Sequence, residues 1–196
     1  MVPMSSTDRI PSREECDALM AEYGMLPNII AHSRQVMRVS LTIVDNLRDG
    51  VFINRDLVMA SALLHDITKT RSLKTREPHD QSGAELLRES GFARIAEIVK
   101  QHVILLAFDP QGKPDEREIV NYADKRVMHD RIVSLAEREE DLLQRYGRTE
   151  EIKTLIRLNA RNARDIEKKI ACSMTIDLES AIQRIQSENQ YDERTT

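Results

Sequence analysis

From Leu57 to Leu64 the chain reads Leu-Val-Met-Ala-Ser-Ala-Leu-Leu, with almost no polar face, and it passes directly into His65-Asp66. A helix that is apolar on nearly every side belongs at the centre of a packed domain. It is far shorter than the roughly 20 residues a membrane span needs, and the N-terminus shows no apolar signal core. The remaining segments must therefore cover this helix, and His65-Asp66 becomes a polar pair at its end. Adjacent nitrogen and oxygen donors at the mouth of a buried helix suit a divalent metal.

Composition narrows the fold. Six glycines, six prolines, no tryptophan and 4% aromatics in 196 residues favour helices over sheet, and the length suits one domain. We expect an all-α protein. A net charge of −4 argues against a chain that coats nucleic-acid backbone, so no specific nucleic-acid partner and no membrane partner are expected. Cys16 and Cys172 are too few and too far apart for a disulfide framework, which fits a reducing, cytoplasmic setting.

Taken in order, Met1 to Pro11 is a polar, flexible leader, and Ser12-Arg13-Glu14-Glu15 is a capping box that opens a helix stopped at Gly24. Pro27 starts a second helix that carries His32 in its first turns. Asn54 caps the apolar helix, expected from Arg55 to about Thr68. Lys69 to Pro78 is read as a basic loop, followed by a helix starting near His79 and another from Phe92 to about His102. Asp109-Pro110-Gln111-Gly112-Lys113-Pro114 is a strong turn signal. Beyond it come a helix bearing Asp124, an amphipathic helix from Arg131 to Tyr146, and one long or two abutting helices from Thr149 to about Gln186. This divides the chain into a leader (1–11), a helical core (12–147) and a C-terminal segment (148–196) that packs on the core, with flexible last residues. Ile152, Ile156, Ala163, Ile166 and Ile170 keep a spacing near 3.5, so the segment is a packing element or, alternatively, a homodimer seam with Asn159 in it.

The chain has five histidines: His32, His65, His79, His102 and His129. A single histidine on a helix face is more often structural than a ligand. The ordered set His32, His65-Asp66, His79, His102 and Asp124, each at an element end or core edge, is what raises the odds of a metal site, because helical bundles house dimetal centres built from inward-facing His and carboxylate groups. His129, five residues after Asp124, sits well around the helix from it and is left out.

His32, the string HDITK over 65–69 and Asp124 within NYADK together resemble the HD-domain superfamily of metal-dependent phosphohydrolases, over a stretch from about Pro27 to Asp130. The resemblance implies an HD-domain helical bundle with an added long C-terminal helical segment. It implies that His32, His65, Asp66 and Asp124 hold one metal, and that Asp66, His79 and His102 hold a second. The chain is thus similar to the six-ligand dinuclear branch, although it lacks a GYP tripeptide and has Thr68 where many relatives carry glycine. If His79 and His102 are not ligands, one metal remains. A nitrogen and oxygen set without thiolate suits iron or manganese.

The chemistry so implied is attack of metal-activated hydroxide on phosphorus in a small phosphorylated substrate such as a nucleotide, with Asp66 and Lys69 at the catalytic centre. Lys69 is expected as a phosphate contact if the helix persists past Asp66, and otherwise as a cation serving the helix terminus. Arg71, Lys74 and Arg76 are candidates for a substrate rim, and Lys125 either faces substrate or balances nearby carboxylates. Two alternatives stay open: a diiron oxygenase of the same superfamily, and a nucleotide-binding or sensor module without turnover.

Overall fold

The computed structural model describes residues 9–192, with side chains through residue 185. Most of the expected leader (1–8) and the end of the chain (193–196) lie outside the described residues. In chain order the helices are α1 (Arg13–Glu22), α2 (Pro27–Val44), α3 (Arg55–Leu64), α4 (Lys69–Thr75), α5 (His79–Glu89), α6 (Ala93–Val99) and α7 (Glu116–Lys125). Strands β1 (Val127–Met128) and β2 (Arg131–Ile132) follow, then α8 (Leu135–Tyr146), α9 (Glu150–Ser173) and α10 (Leu178–Asp192).

α3 is the hub. Every residue from Leu57 to Leu64 is buried, and α1, α2, α6 and α7 pack around the helix. Its start is set by Asn54, whose side chain accepts from the Leu57 amide at 3.0 Å. α1 and α7 open with capping boxes at Ser12/Glu15 and Asp115/Glu118, each satisfying two backbone donors that the first turn leaves unpaired. α5 and α6 form a packed pair against this core, and α10 lies against α2.

Three expectations change in three dimensions, and a fourth is resolved between its two alternatives. α3 ends at Leu64, not near Thr68, because the Ile67 and Lys69 amides bond back three residues to the Leu64 and Asp66 carbonyls and tighten the chain out of the α-helix. The basic stretch read as a loop is in fact helix α4, closed by Arg76 in the left-handed conformation at φ 62°. The helix expected from Arg131 begins only at Leu135, where Ser134 and Glu137 form a capping box, and residues 127–132 make a two-strand hairpin instead. The C-terminal stretch is two helices, α9 and α10, separated at Met174, which makes a bridge with Leu47.

Two buried cations lock the later helices to the core. Lys169 Nζ of α9 donates to Glu118 Oε1 of α7 at 2.7 Å with both side chains almost fully buried, and also to the Asp109 carbonyl at 2.8 Å. Arg126 donates to the Val133 carbonyl, the Tyr122 hydroxyl and the Glu179 carboxylate, joining α7, the hairpin's exit and α10.

Candidate metal centre

Five separate elements deliver the expected ligands to one place. His32 comes from α2, His65 and Asp66 from the tight turn after α3, His79 from the first position of α5, His102 from the turn after α6, and Asp124 from the last turn of α7. His32, His65 and Asp66 each offer a ligand atom within 4.8 Å of the others, and so do Asp66, His79 and His102. Asp124 Oδ1 adds to the first group, at 3.1 Å from His32 Nε2 and 3.6 Å from His65 Nε2. Asp66 is the residue the two clusters share.

Three of the histidines are held in one tautomer by backbone. His32 Nδ1 donates to the His129 carbonyl at 2.7 Å, His65 Nδ1 to Ala62 at 2.8 Å, and His102 Nδ1 to Val99 at 2.6 Å. A carbonyl can only accept, so each Nδ1 carries the proton, and each Nε2 is left to face the cluster, which is the orientation metal-ligating histidines take. What the Nε2 atoms meet there does not satisfy them. His65 Nε2 and Asp66 Oδ1 are buried with no hydrogen-bond partner among the described residues. His79 Nε2 and His102 Nε2 lie 3.1 Å apart, and Asp66 Oδ1 is 3.1 Å from the first and 3.6 Å from the second. Lone pairs crowded this closely in a dry interior repel unless a cation sits among them. The donor set therefore fits divalent metal, and its lack of thiolate favours a harder ion over a zinc-cysteine site.

The protonation states agree. Burial pulls His65 down to about 4, so it is a neutral donor at ordinary pH. Burial would raise both Asp66 and Asp124, but the surrounding histidines and lysines outweigh it and hold both carboxyls well below the usual range. Burial also works against charge on His32, and the Asp124 hydrogen bond and nearby carboxylates reverse the balance, leaving it raised.

Lys69 reaches the centre by a route the sequence did not suggest. It starts α4 instead of continuing α3, and its Nζ lies 3.1 Å from His79 Nε2 and 3.9 Å from Asp66 Oδ1. A cation in the first turn of a helix opposes the macrodipole, so its place there is not explained by serving a helix C-terminus. Lys125 is turned inward: its Nζ donates to the His102 and Asn121 carbonyls, and burial pulls it down to about 8, with Arg138 adding to that effect and Asp124 opposing it. Of the expected rim, Arg76 lines the cavity over the centre, whereas Arg71 is paired with Glu77 and neither it nor Lys74 lines that cavity. Those two lie on the outer side of α4, since helical rotation separates them from Ser72, Leu73 and Arg76.

Five further residues shape the site. Arg138 and Arg145, seven apart on α8, are both tied to Asp141 between them and both line a small cleft that His32, Asp66 and Lys69 also line. Arg138 Nε is buried without a partner among the described residues. The spacing places them on one helix face, but only the fold shows what that face meets. Asn121 donates to the Gln101 and His102 carbonyls at 3.0 Å each, tying the His102 turn to α7. Thr68 donates to the His79 carbonyl at 2.9 Å and so pins the start of α5 to the His-Asp turn. His129 stays outside the ligand clusters, but its left-handed backbone, at φ 58°, aims its carbonyl at His32.

A protein-family model described as the HD domain matches residues 29–174. The chain belongs to the HD-domain family. The HD match takes in nearly all of α2 and the elements from α3 to α9, with α1 and α10 outside it. This HD domain is also similar to the tRNA (cytidine(56)-2'-O)-methyltransferase of Picrophilus torridus, 30% identical over 139 residues, which is 64% of this chain and 39% of that protein. The chain thus spans well under half the length of that relative. No solved structure matches it. No helix among the described residues is long and apolar enough to cross a membrane.

Proposed function

We propose that this HD domain is a dinuclear metal-dependent phosphohydrolase acting on a small phosphorylated metabolite, with nucleotides the first class to test. The observation that carries the proposal is the pair of ligand clusters meeting at Asp66 on the floor of a cavity of about 540 Å³ that Lys69 and Arg138 also line. His32, His65, Asp66 and Asp124 hold one ion and Asp66, His79 and His102 the other, with iron or manganese the ions that the donor set suits best. When bound, such ions lower the pKa of a coordinated water and neutralise charge on phosphoryl oxygens.

The chain's own groups do the rest. Lys69 presents its ammonium to the ligand clusters and Arg138 lines the same cavity, so that charge-assisted hydrogen bonds from both would fix the orientation of a phosphoryl group there. Lys125 is a positioning residue here, holding the His102 carbonyl instead of touching substrate.

The relative's name ties it to tRNA, but a net charge of −4 gives this chain no general attraction for RNA backbone. The test is metal analysis of anaerobically purified protein, followed by phosphate release from nucleotides, dinucleoside polyphosphates and simple phosphate esters with added iron or manganese. Bound metal with phosphate release supports the proposal. Oxygen uptake by the iron-loaded protein without phosphate release from any substrate overturns it.

A further inference from the structure

The cavity over the metal centre is lined by two unlike sets of residues. One is the ligand group His32, Asp66, His79, His102 and Asp124; the other is Leu73 of α4, Leu142 of α8 and Ile152, Leu155 and Ile156 of α9, with Tyr146 of α8 lining both this cavity and the smaller cleft beside His32 and Lys69. The α9 residues belong to one helix face. Positions 152, 155, 156, 159, 160 and 163 all line the cavity, at the three- and four-residue steps that keep side chains on one side. Toward the C-terminal end the stripe is core, with Ala163, Ile166 and Ile170 buried. Toward the N-terminal end it leaves the core: Ile152 is 38% and Leu155 44% exposed, and Tyr146 and Leu73 opposite are 56% and 63% exposed. From Ile152 to Ala163 the helix rises about 16 Å, so α9 gives the cavity a largely apolar wall of that length, broken by Asn159.

Resting on the phosphohydrolase reading above, we infer that the substrate is a phosphate ester of an apolar alcohol. Its phosphate sits at the metal ligands, Lys69 and Arg138, and its alkyl, prenyl or aryl body lies along the α8–α9 wall. Continuity is the first reason, because metal ligands and aliphatic wall line one cavity, of a size that suits a small ligand. The second is the poverty of polar partners along the wall. On α8 and α9 its polar groups beyond Arg138 are the Asn159 amide, the Tyr146 hydroxyl and a Glu139 carboxylate already paired with Arg164, while Ser72, Arg76 and Glu77 belong to α4 and its exit, Glu77 paired with Arg71. A sugar and the polar edge of a base would lose water against Leu and Ile with few groups to replace it, at about 1–3 kcal/mol for each unsatisfied group. An apolar body gains on the same surface.

The test separates this inference from the hydrolase reading. Binding of methyl-, hexyl- and decylphosphonate, which resist hydrolysis, is measured by titration calorimetry on the full chain loaded with manganese, each ligand below its micelle concentration. Turnover of the matching alkyl phosphates and of nucleoside 5′-monophosphates is measured alongside. Affinity should rise about fourfold for each methylene that reaches the wall, corresponding to ≈ 0.8 kcal/mol per buried CH₂, with an increasingly negative heat-capacity change. In Leu155→Asn and Ile152→Asn, both at exposed positions, the rise should flatten. Affinity independent of chain length overturns the inference, whether or not phosphate is released. So does tighter turnover of nucleotides than of decyl phosphate. A chain that sediments as a dimer, becomes a monomer in Leu155→Asn and keeps its chain-length series unchanged also overturns it, because the stripe is then a subunit seam. If affinity climbs with chain length while no ester is hydrolysed, the wall stands and the hydrolase reading fails.

Discussion

His32 Nε2 lies 3.1 Å from Asp124 Oδ1 while the same ring's Nδ1 donates to the His129 carbonyl at 2.7 Å. With its one neutral-state proton committed to the carbonyl, the ring turns a lone pair toward a carboxylate. That contact is favourable only with a cation between them, either a second proton or a metal ion. Residues 92 positions apart are thus arranged for a shared positive charge.

Metal stoichiometry should follow the clusters. Asp66→Ala should lose both ions, and His79→Ala or His102→Ala should lose one, as read by mass spectrometry of purified protein. Chelation should lower the melting temperature by about 5–10 °C, the effect of removing an ion present at a hundredfold excess over its dissociation constant. Unchanged metal content in both histidine variants would falsify the dinuclear site.

Lys69→Met should keep its metal and lose roughly 10- to 100-fold in kcat/KM, the value of a charge-assisted hydrogen bond to phosphate, and Arg138→Met should behave alike. Arg71→Ala, on the outer side of α4, should stay within about twofold. Equal losses in all three would point to general electrostatics instead of contact.

Acid should destabilise the metal-free protein. The folded pKa of His65 is about 4 against an ordinary 6.5. Below 6.5 the unfolded chain binds a proton that the folded one refuses, so stability falls as pH drops from 6.5 and levels off near 4. Asp66 and Asp124, held low, act in the same direction at still lower pH. The raised His32 contributes stability that is lost only as pH rises above 6.5. Urea midpoints that stay level between pH 6.5 and 4.5 would contradict this.

Lys169→Met should cost about 3–5 kcal/mol in urea unfolding, because it strands Glu118 in the core. Adding Glu118→Leu should recover much of that loss. A single variant as stable as the parent would mean the pair relaxes into solvent.

Thiol chemistry gives an independent check on the core. Cys172 is exposed, whereas Cys16 is fully buried in α1 and burial pushes its thiol up to about 12. One equivalent of Ellman's reagent should react quickly with folded protein, and the second only after denaturation.

The all-α class, the central helix, the caps at Ser12 and Asn54 and the order of the ligands are local or periodic properties, and the sequence alone determined them. The apolar run at Leu57–Leu64 demanded a central helix, Ser12-x-x-Glu15 marked the start of α1, and His32, His65-Asp66, His79, His102 and Asp124 were legible as a set. What the tertiary structure decided are matters of facing. Local pattern could not tell that α3 stops at Leu64, since the break depends on how the His-Asp turn packs, nor that residues 127–132 form a hairpin whose left-handed His129 carbonyl orients His32. The spacing of Arg138 and Arg145, and the apolar stripe of α9, put residues on one side of a helix without saying what that side meets. Periodicity fixes which side chains share a face, while only packing among distant segments determines whether the face meets core, a second subunit or a cavity above a metal centre.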